Sequence, residues 1–131
     1  KLHLLNDYGD SVRHDPAAVL TKESVTVLRE ACEEVYLHED LARYIIEISR
    51  ASREDPQIKL GISPRGSMHL AMACKAFALV KGRHQVIAED VQRLIPPVWD
   101  HRILPRHGRD NDSIHAHELL QTILENIAVP R

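Results

Sequence analysis

The chain has 131 residues, 44% hydrophobic and 27% charged, which suits one domain, with or without an appended segment, that buries a core. Its 17 Lys and Arg against 19 Asp and Glu leave a net charge of −2, so no global basic field draws nucleic acid or anionic membrane. Aromatics at 4% exclude an aromatic-rich binding platform, and no apolar run approaches the ~20 residues of a membrane span. The N-terminus lacks the apolar segment of a signal peptide. The chain begins at Lys1 rather than at methionine, as a processed protein or a piece of a longer one does.

In chain order, Leu2, Leu4 and Leu5 form a short apolar lead, followed by an irregular stretch through Gly9 and Pro16. Thr21 is placed to cap a first helix, in which Val25, Leu28, Cys32 and Val35 form one stripe at helical spacing. After a break over Tyr36 to Asp40, a second helix carries Leu41, Tyr44, Ile45 and Ile48 and must stop before Pro56. The third helix is the most legible. Ser63 is a favoured N-cap, Pro64 suits the first helical position, and Gly82 terminates the helix after Lys81. A fourth helix carries Val91, Leu94, Ile95 and Val98 and is expected to be bent or interrupted by Pro96-Pro97. Residues 103–113 read as a polar loop, and a last helix carries Leu120, Ile123, Leu124 and Ile127. No strand shows convincing alternation. The predicted fold is all-α, a small bundle of about five helices.

Charge is unevenly divided. Residues 1–60 carry 8 Lys and Arg against 12 Asp and Glu, whereas residues 61–109 carry 8 against 3. An anionic ligand is therefore sought in the middle segment. Cys32 and Cys74 fall in helical stretches with no partner motif and read as two buried thiols of a reduced, cytoplasmic protein.

Gly61-Ile-Ser-Pro-Arg-Gly66-Ser67-Met68 has two glycines at P-loop separation but lacks the lysine, and a helix starts inside it. Nor does a hydrophobic run end in a magnesium-binding acidic pair. The segment by itself is not expected to hydrolyse nucleotide. It does place Arg65 in the first turn of a helix, where unpaired N–H groups and the positive dipole end favour an anion. A guanidinium there adds a forked, permanently charged donor for phosphate, with Ser63 and Pro64 positioning it. Otherwise Arg65 is a solvated side chain beside a capped helix. His115-x-His117-Glu118 is the one histidine cluster, at a spacing that does not put both rings on one helix face, so no metal site is expected. His69 and His84 suggest no chemistry of their own, and His101-Arg102 reads as a polar anchor back to the bundle.

The stretch Gly61-Ile-Ser-Pro-Arg65-Gly resembles the G-A-S-P-R-A motif of the MoxR family of AAA+ ATPases. Tyr44 to Pro56 is similar to that family's helix ending R-A-T-R-E-H-P, and Gly82-Arg83 with Glu89-Asp90-Val91 to its G-R-x-x-V-T-P-E-D-V element. Pro97-Val98-Trp99-Asp100-His101-Arg102 resembles its P-V-L-x-H-R close, and Ile123 to Arg131 its usual C-terminus. The resemblance covers nearly the whole chain, in order. It implies the C-terminal lid of a hexamer-forming ATPase with a chaperone-like remodelling or metal-centre assembly role. ATP and magnesium would be held mainly by an upstream α/β core, and the arginine matching Arg65 is the family's sensor-2 residue, which reaches toward the γ-phosphate. Residues 1–20 would be the linker from that core, 21–104 the lid bundle, and 105–131 a loop and helix packing on it. Partners would be the core, neighbouring subunits and client proteins. Two departures stand out: Ile87-Ala88 replaces Thr-Pro and removes an N-cap worth about 1 kcal/mol. Gly66 replaces alanine, which suggests a more adaptable turn beside Arg65.

The rival reading is a helical DNA-binding module using the basic segment 61–109, with Arg65, Lys75, Lys81 and Arg83 on phosphates. Against it, the helix after Ser63 is mostly Ala, Met, Leu and Phe, which is core composition.

Overall fold

Five α-helices and a two-stranded ribbon make up the described structure, a computed structural model covering residues 19–106 and 112–130. The expected linker 1–20, with Leu2, Leu4 and Leu5, lies almost wholly outside these residues. Among the described residues no helix is long and apolar enough to cross a membrane.

Helix α1 spans Lys22–Glu34, and its cap is the one read from the sequence: Thr21 Oγ1 accepts the Ser24 N–H at 3.2 Å. The apolar stripe behaves differently. Cys32 and Val35 are buried, whereas Val25 and Leu28 stay 37% and 46% exposed. The stripe runs on past the bundle, and nothing among the described residues covers its first turns.

Helix α2, Glu39–Glu54, buries Leu41, Tyr44, Ile45 and Ile48, the four positions of its sequence stripe, and stops ahead of Pro56. Its end leads into β1, Ile58–Leu60, which pairs antiparallel with β2, Leu104–Pro105. Strands of three and two residues are too short to leave an alternating pattern, so the ribbon was not expected.

Helix α3, Pro64–Val80, begins at Ser63, whose Oγ accepts the Gly66 N–H at 3.2 Å, with Pro64 in the first turn. It ends at Gly82, whose φ of 71° suits glycine alone without strain. There Gly82 N–H reaches Leu79 O and Arg83 N–H reaches Ala78 O, each at 2.9 Å, satisfying carbonyls the helix leaves open.

Helix α4, Ala88–Trp99, was expected to be bent or interrupted at Pro96-Pro97; it is not interrupted, and both prolines lie inside it. The two missing N–H groups fall near the helix end. The carbonyls they free belong to Gln92 and Arg93, both exposed, so water can satisfy them. Half of a capping box nevertheless remains at the start of α4. Ile87 offers no side-chain acceptor, but Asp90 Oδ2 accepts the Ile87 N–H at 3.0 Å.

A short 3₁₀ turn, Asp100–Arg102, follows, and helix α5, Asp112–Asn126, closes the bundle. Ala116, Leu119, Leu120 and Ile123 of α5 join the same core as Ile48, Ile62, Leu70, Val91, Ile95 and Trp99.

Candidate functional site

The turn that carries Arg65 is fixed by α2 on one side and by the end of α4 on the other. From α2, Ser52 Oγ accepts the Ile62 N–H at 2.9 Å and donates to Ser49 O at 2.7 Å. Arg53 Nη1 donates to Ile62 O at 2.6 Å. Gly61 lies so close to the Ser52 carbonyl that a side-chain carbon there would collide with α2 backbone. Both polar groups of Ile62, itself fully buried, are thus satisfied by α2 side chains.

From α4, the fully buried Trp99 donates its Nε1–H to Gly66 O at 3.0 Å. Arg102 folds back so that Nε reaches Val98 O at 2.9 Å and Nη2 lies 3.2 Å from His69 Nδ1 on α3. His101-Arg102 was read as a polar anchor, and Arg102 is the residue that makes the contact.

Beside the adaptability expected of it, Gly66 has a steric role. It is buried, and a Cβ placed there would come within 2.9 Å of Ile62 Cγ2. Helix propensity alone favours Gly66→Ala by about 1 kcal/mol. Overpacking against Ile62 opposes this, and a net loss of about 1–2 kcal/mol is expected in urea titration.

Arg65 itself occupies the second position of α3 and is exposed. Among the described residues it makes no hydrogen bond or ion pair, and the first turn of α3 holds no acidic residue. A cation at a helix N-terminus is unfavourable by about 0.3–1 kcal/mol until an anion arrives. Its backbone is therefore rigidly held while its charge is left uncompensated.

The other three cations of the rival reading have partners. Lys75 Nζ donates to Glu33 O at 2.8 Å, joining α3 to α1, and Lys81 sits 5.5 Å above the Phe77 ring. Arg83 makes a forked pair with Asp90, both bonds 2.7 Å, and Nη1 also reaches Gln85 O. Burial opposes ionisation of Asp90. The Arg83 and Ile87 hydrogen bonds and the Arg83 charge outweigh it and hold the carboxyl below the usual carboxylate range. This pair was not read from the sequence. Its signal was an acidic residue three after the N-cap position, hidden because isoleucine stands where a capping hydroxyl is usual.

The remaining candidates stay apart from Arg65. His117 Nδ1 lies 3.0 Å from Asp100 Oδ2, and His115 lies 3.7 Å from Glu118. No group of three or more possible metal ligands converges among the described residues. Burial, and then the charge of Asp90, push the Cys74 thiol up to about 12, which keeps it un-ionised near neutral pH. A cleft of about 430 Å³ lined by Tyr36, His38, Val86, Ile87, Glu89 and Pro130 does not include Arg65. Arg65 is exposed, outside that cleft.

The sequence profile of the AAA lid domain matches residues 50–123, from the end of α2 well into α5. The chain is 33% identical over 112 residues to the uncharacterized protein YeaC of Bacillus subtilis, covering 86% of this chain and 35% of that protein. It is 28% identical over 122 residues to the chaperone MoxR1 of Mycobacterium tuberculosis, covering 86% of this chain and 32% of MoxR1. The protein MoxR of Paracoccus denitrificans is 34% identical over 76 residues, 48% of this chain and 22% of that one. The chain thus spans about a third or less of the curated relatives it matches. A crystal structure of a Cytophaga hutchinsonii protein, described as an ATPase candidate, superposes with a TM-score of 0.74 at 24% identity. That match covers 86% of this chain and 37% of the other, and it bears on the fold.

Proposed function

Because the chain belongs to the AAA lid domain family, as the lid of a MoxR-family AAA+ ATPase, we propose that it serves as the sensor-2 element of that enzyme, with Arg65 addressing the terminal phosphate of ATP. The observation that carries this reading is Arg65, exposed and without a partner among the described residues, on a turn pinned from both sides. The fit to a phosphate is chemical: a permanently charged, forked donor at a helix N-terminus with no carboxylate in that turn.

ATP with magnesium supplies the phosphoryl-transfer chemistry, in a core that this P-loop-free chain does not contain. The chain's own part is positioning and signalling. Ser63 caps α3 and Pro64 presets its first turn, so the Arg65 backbone needs no reordering on binding. Arg65 gains charge-assisted hydrogen bonds while the terminal phosphate is present and loses them afterwards, which shifts the lid relative to the core. In this reading the lid works within a cytoplasmic hexamer, between its own core and neighbouring subunits, on client proteins in a chaperone-like or metal-centre assembly role. Residues 1–20 act as the linker from the core, with the bundle 21–104 and the segment 105–131 behind it.

The magnitudes give a test. A hydrogen bond to a charged group contributes about 1.5–3 kcal/mol. One or two sum to about 6 kcal/mol at most before the cost of association is subtracted, which leaves roughly millimolar affinity or weaker, since 1 mM corresponds to about −4.1 kcal/mol. The isolated chain is expected to give no calorimetric ATP binding at micromolar protein. A micromolar dissociation constant for the chain alone would overturn the division of labour between lid and core.

A further inference from the structure

We propose that Trp99 is a positioning residue for Arg65, acting through the hydrogen bond from its indole N–H to the carbonyl of Gly66. This rests on the phosphate role of Arg65 proposed above and extends it to a residue on another helix.

Gly66 directly follows Arg65 and is the residue with the least backbone restraint in that turn. Its lack of a Cβ is needed, because Ile62 Cγ2 occupies the space a methyl group would take. The chain therefore places its most permissive residue next to the arginine it must hold still. Trp99 adds a tertiary restraint to the Ser63 cap on the Gly66 N–H. Its ring is fully buried, so its position is set by packing, and its one donor is spent on Gly66 O at 3.0 Å. Arg102, three residues on, reaches His69 on the next turn of α3, so the end of α4 and the 3₁₀ turn after it grip α3 at two successive turns. Ser63 Oγ holds the Gly66 N–H within the turn and Trp99 holds the Gly66 carbonyl from outside it, whereas the α2 contacts stop at Ile62. The backbone that carries Arg65 is thus held by α2 on its N-terminal side and by α4 on its C-terminal side, where the bond falls on the adjoining residue.

The experiment is a double-mutant cycle on steady-state ATP turnover in the intact ATPase, combining Trp99→Phe with Arg65→Ala. Phenylalanine keeps an aromatic ring in the core and removes the N–H. Trp99→Met, an adaptable apolar filler without a strong donor, takes its place if the first variant does not fold. The expected result is a fall in kcat of about five- to tenfold for Trp99→Phe alone. In the Arg65→Ala background the same change has less than about a twofold effect, because the group it positions is gone. Equal falls in both backgrounds overturn the proposal, since Trp99 then acts without Arg65. A kcat unchanged by Trp99→Phe, where Arg65→Ala alone slows turnover, overturns it too but leaves the phosphate role standing. If Arg65→Ala alone has no effect, the phosphate role falls and the positioning role falls with it.

Discussion

Arg65→Ala in the intact ATPase lowers ATP turnover by about 10- to 100-fold, while the isolated chain melts within about 2 °C of the unsubstituted one. The activity loss follows from removing one or two charge-assisted bonds that form to the terminal phosphate. The unchanged melting point follows from the structure. The side chain is exposed and makes no hydrogen bond or ion pair among the described residues, so nothing in the bundle is lost with it. Relief of a cation at the helix N-terminus gives, if anything, a small gain in stability. Steady-state turnover and a thermal melt, run on the same substitution, separate the two effects. A large drop in melting point would instead make Arg65 a structural residue.

Asp90→Ala is expected to give the largest stability loss among these substitutions, about 2–3 kcal/mol, or roughly 10–15 °C in the melting point. Asp90 is 4% exposed and ties three things together: the Arg83 fork, the Ile87 N–H and the start of α4. Its removal strands the arginine and leaves the helix without its first-turn acceptor. The pH dependence has a definite sign. The carboxyl titrates below its unfolded value, so its contribution is complete above the ordinary carboxylate pKa of about 3.9 and fades as pH falls through the lower folded value. The gap in stability between the parent chain and Asp90→Ala should therefore be constant from pH 7 to about pH 5. It should narrow only in acid, below about pH 4. Urea titrations of both chains at several pH values check this.

Local punctuation made the third helix readable. Ser63-Pro64 at its start and Gly82 at its end act within a turn of themselves, and each does in the structure what its chemistry dictates. The second helix was equally legible because its apolar stripe is fully covered. Long-range facts were not legible. The exposure of Val25 and Leu28 depends on how far α1 extends beyond its partners, which periodicity within α1 does not encode. The continuity of α4 through Pro96-Pro97 depends on where the helix ends and on whether the freed carbonyls face water. The ribbon of Ile58–Leu60 with Leu104–Pro105 joins segments more than forty residues apart and is too short to carry a pattern.

The candidate site divides in the same way. Arg65, Ser63 and Pro64 could be picked from chemistry and from the MoxR resemblance. The Ser52, Arg53 and Trp99 contacts that hold their turn come from tertiary packing. Three of the segments that carry the resemblance meet around that turn: the end of α2, the start of α3 and the end of α4. Arg83 was grouped with free phosphate-binding cations, and the structure commits it to Asp90 instead.

Nucleotide discrimination by the intact ATPase tests the central claim most directly: ATP and ADP dissociation constants, measured with and without Arg65→Ala. A guanidinium that addresses only the terminal phosphate predicts about tenfold or greater weakening for ATP with ADP affinity unchanged. Equal weakening for both nucleotides, or none for either, contradicts it.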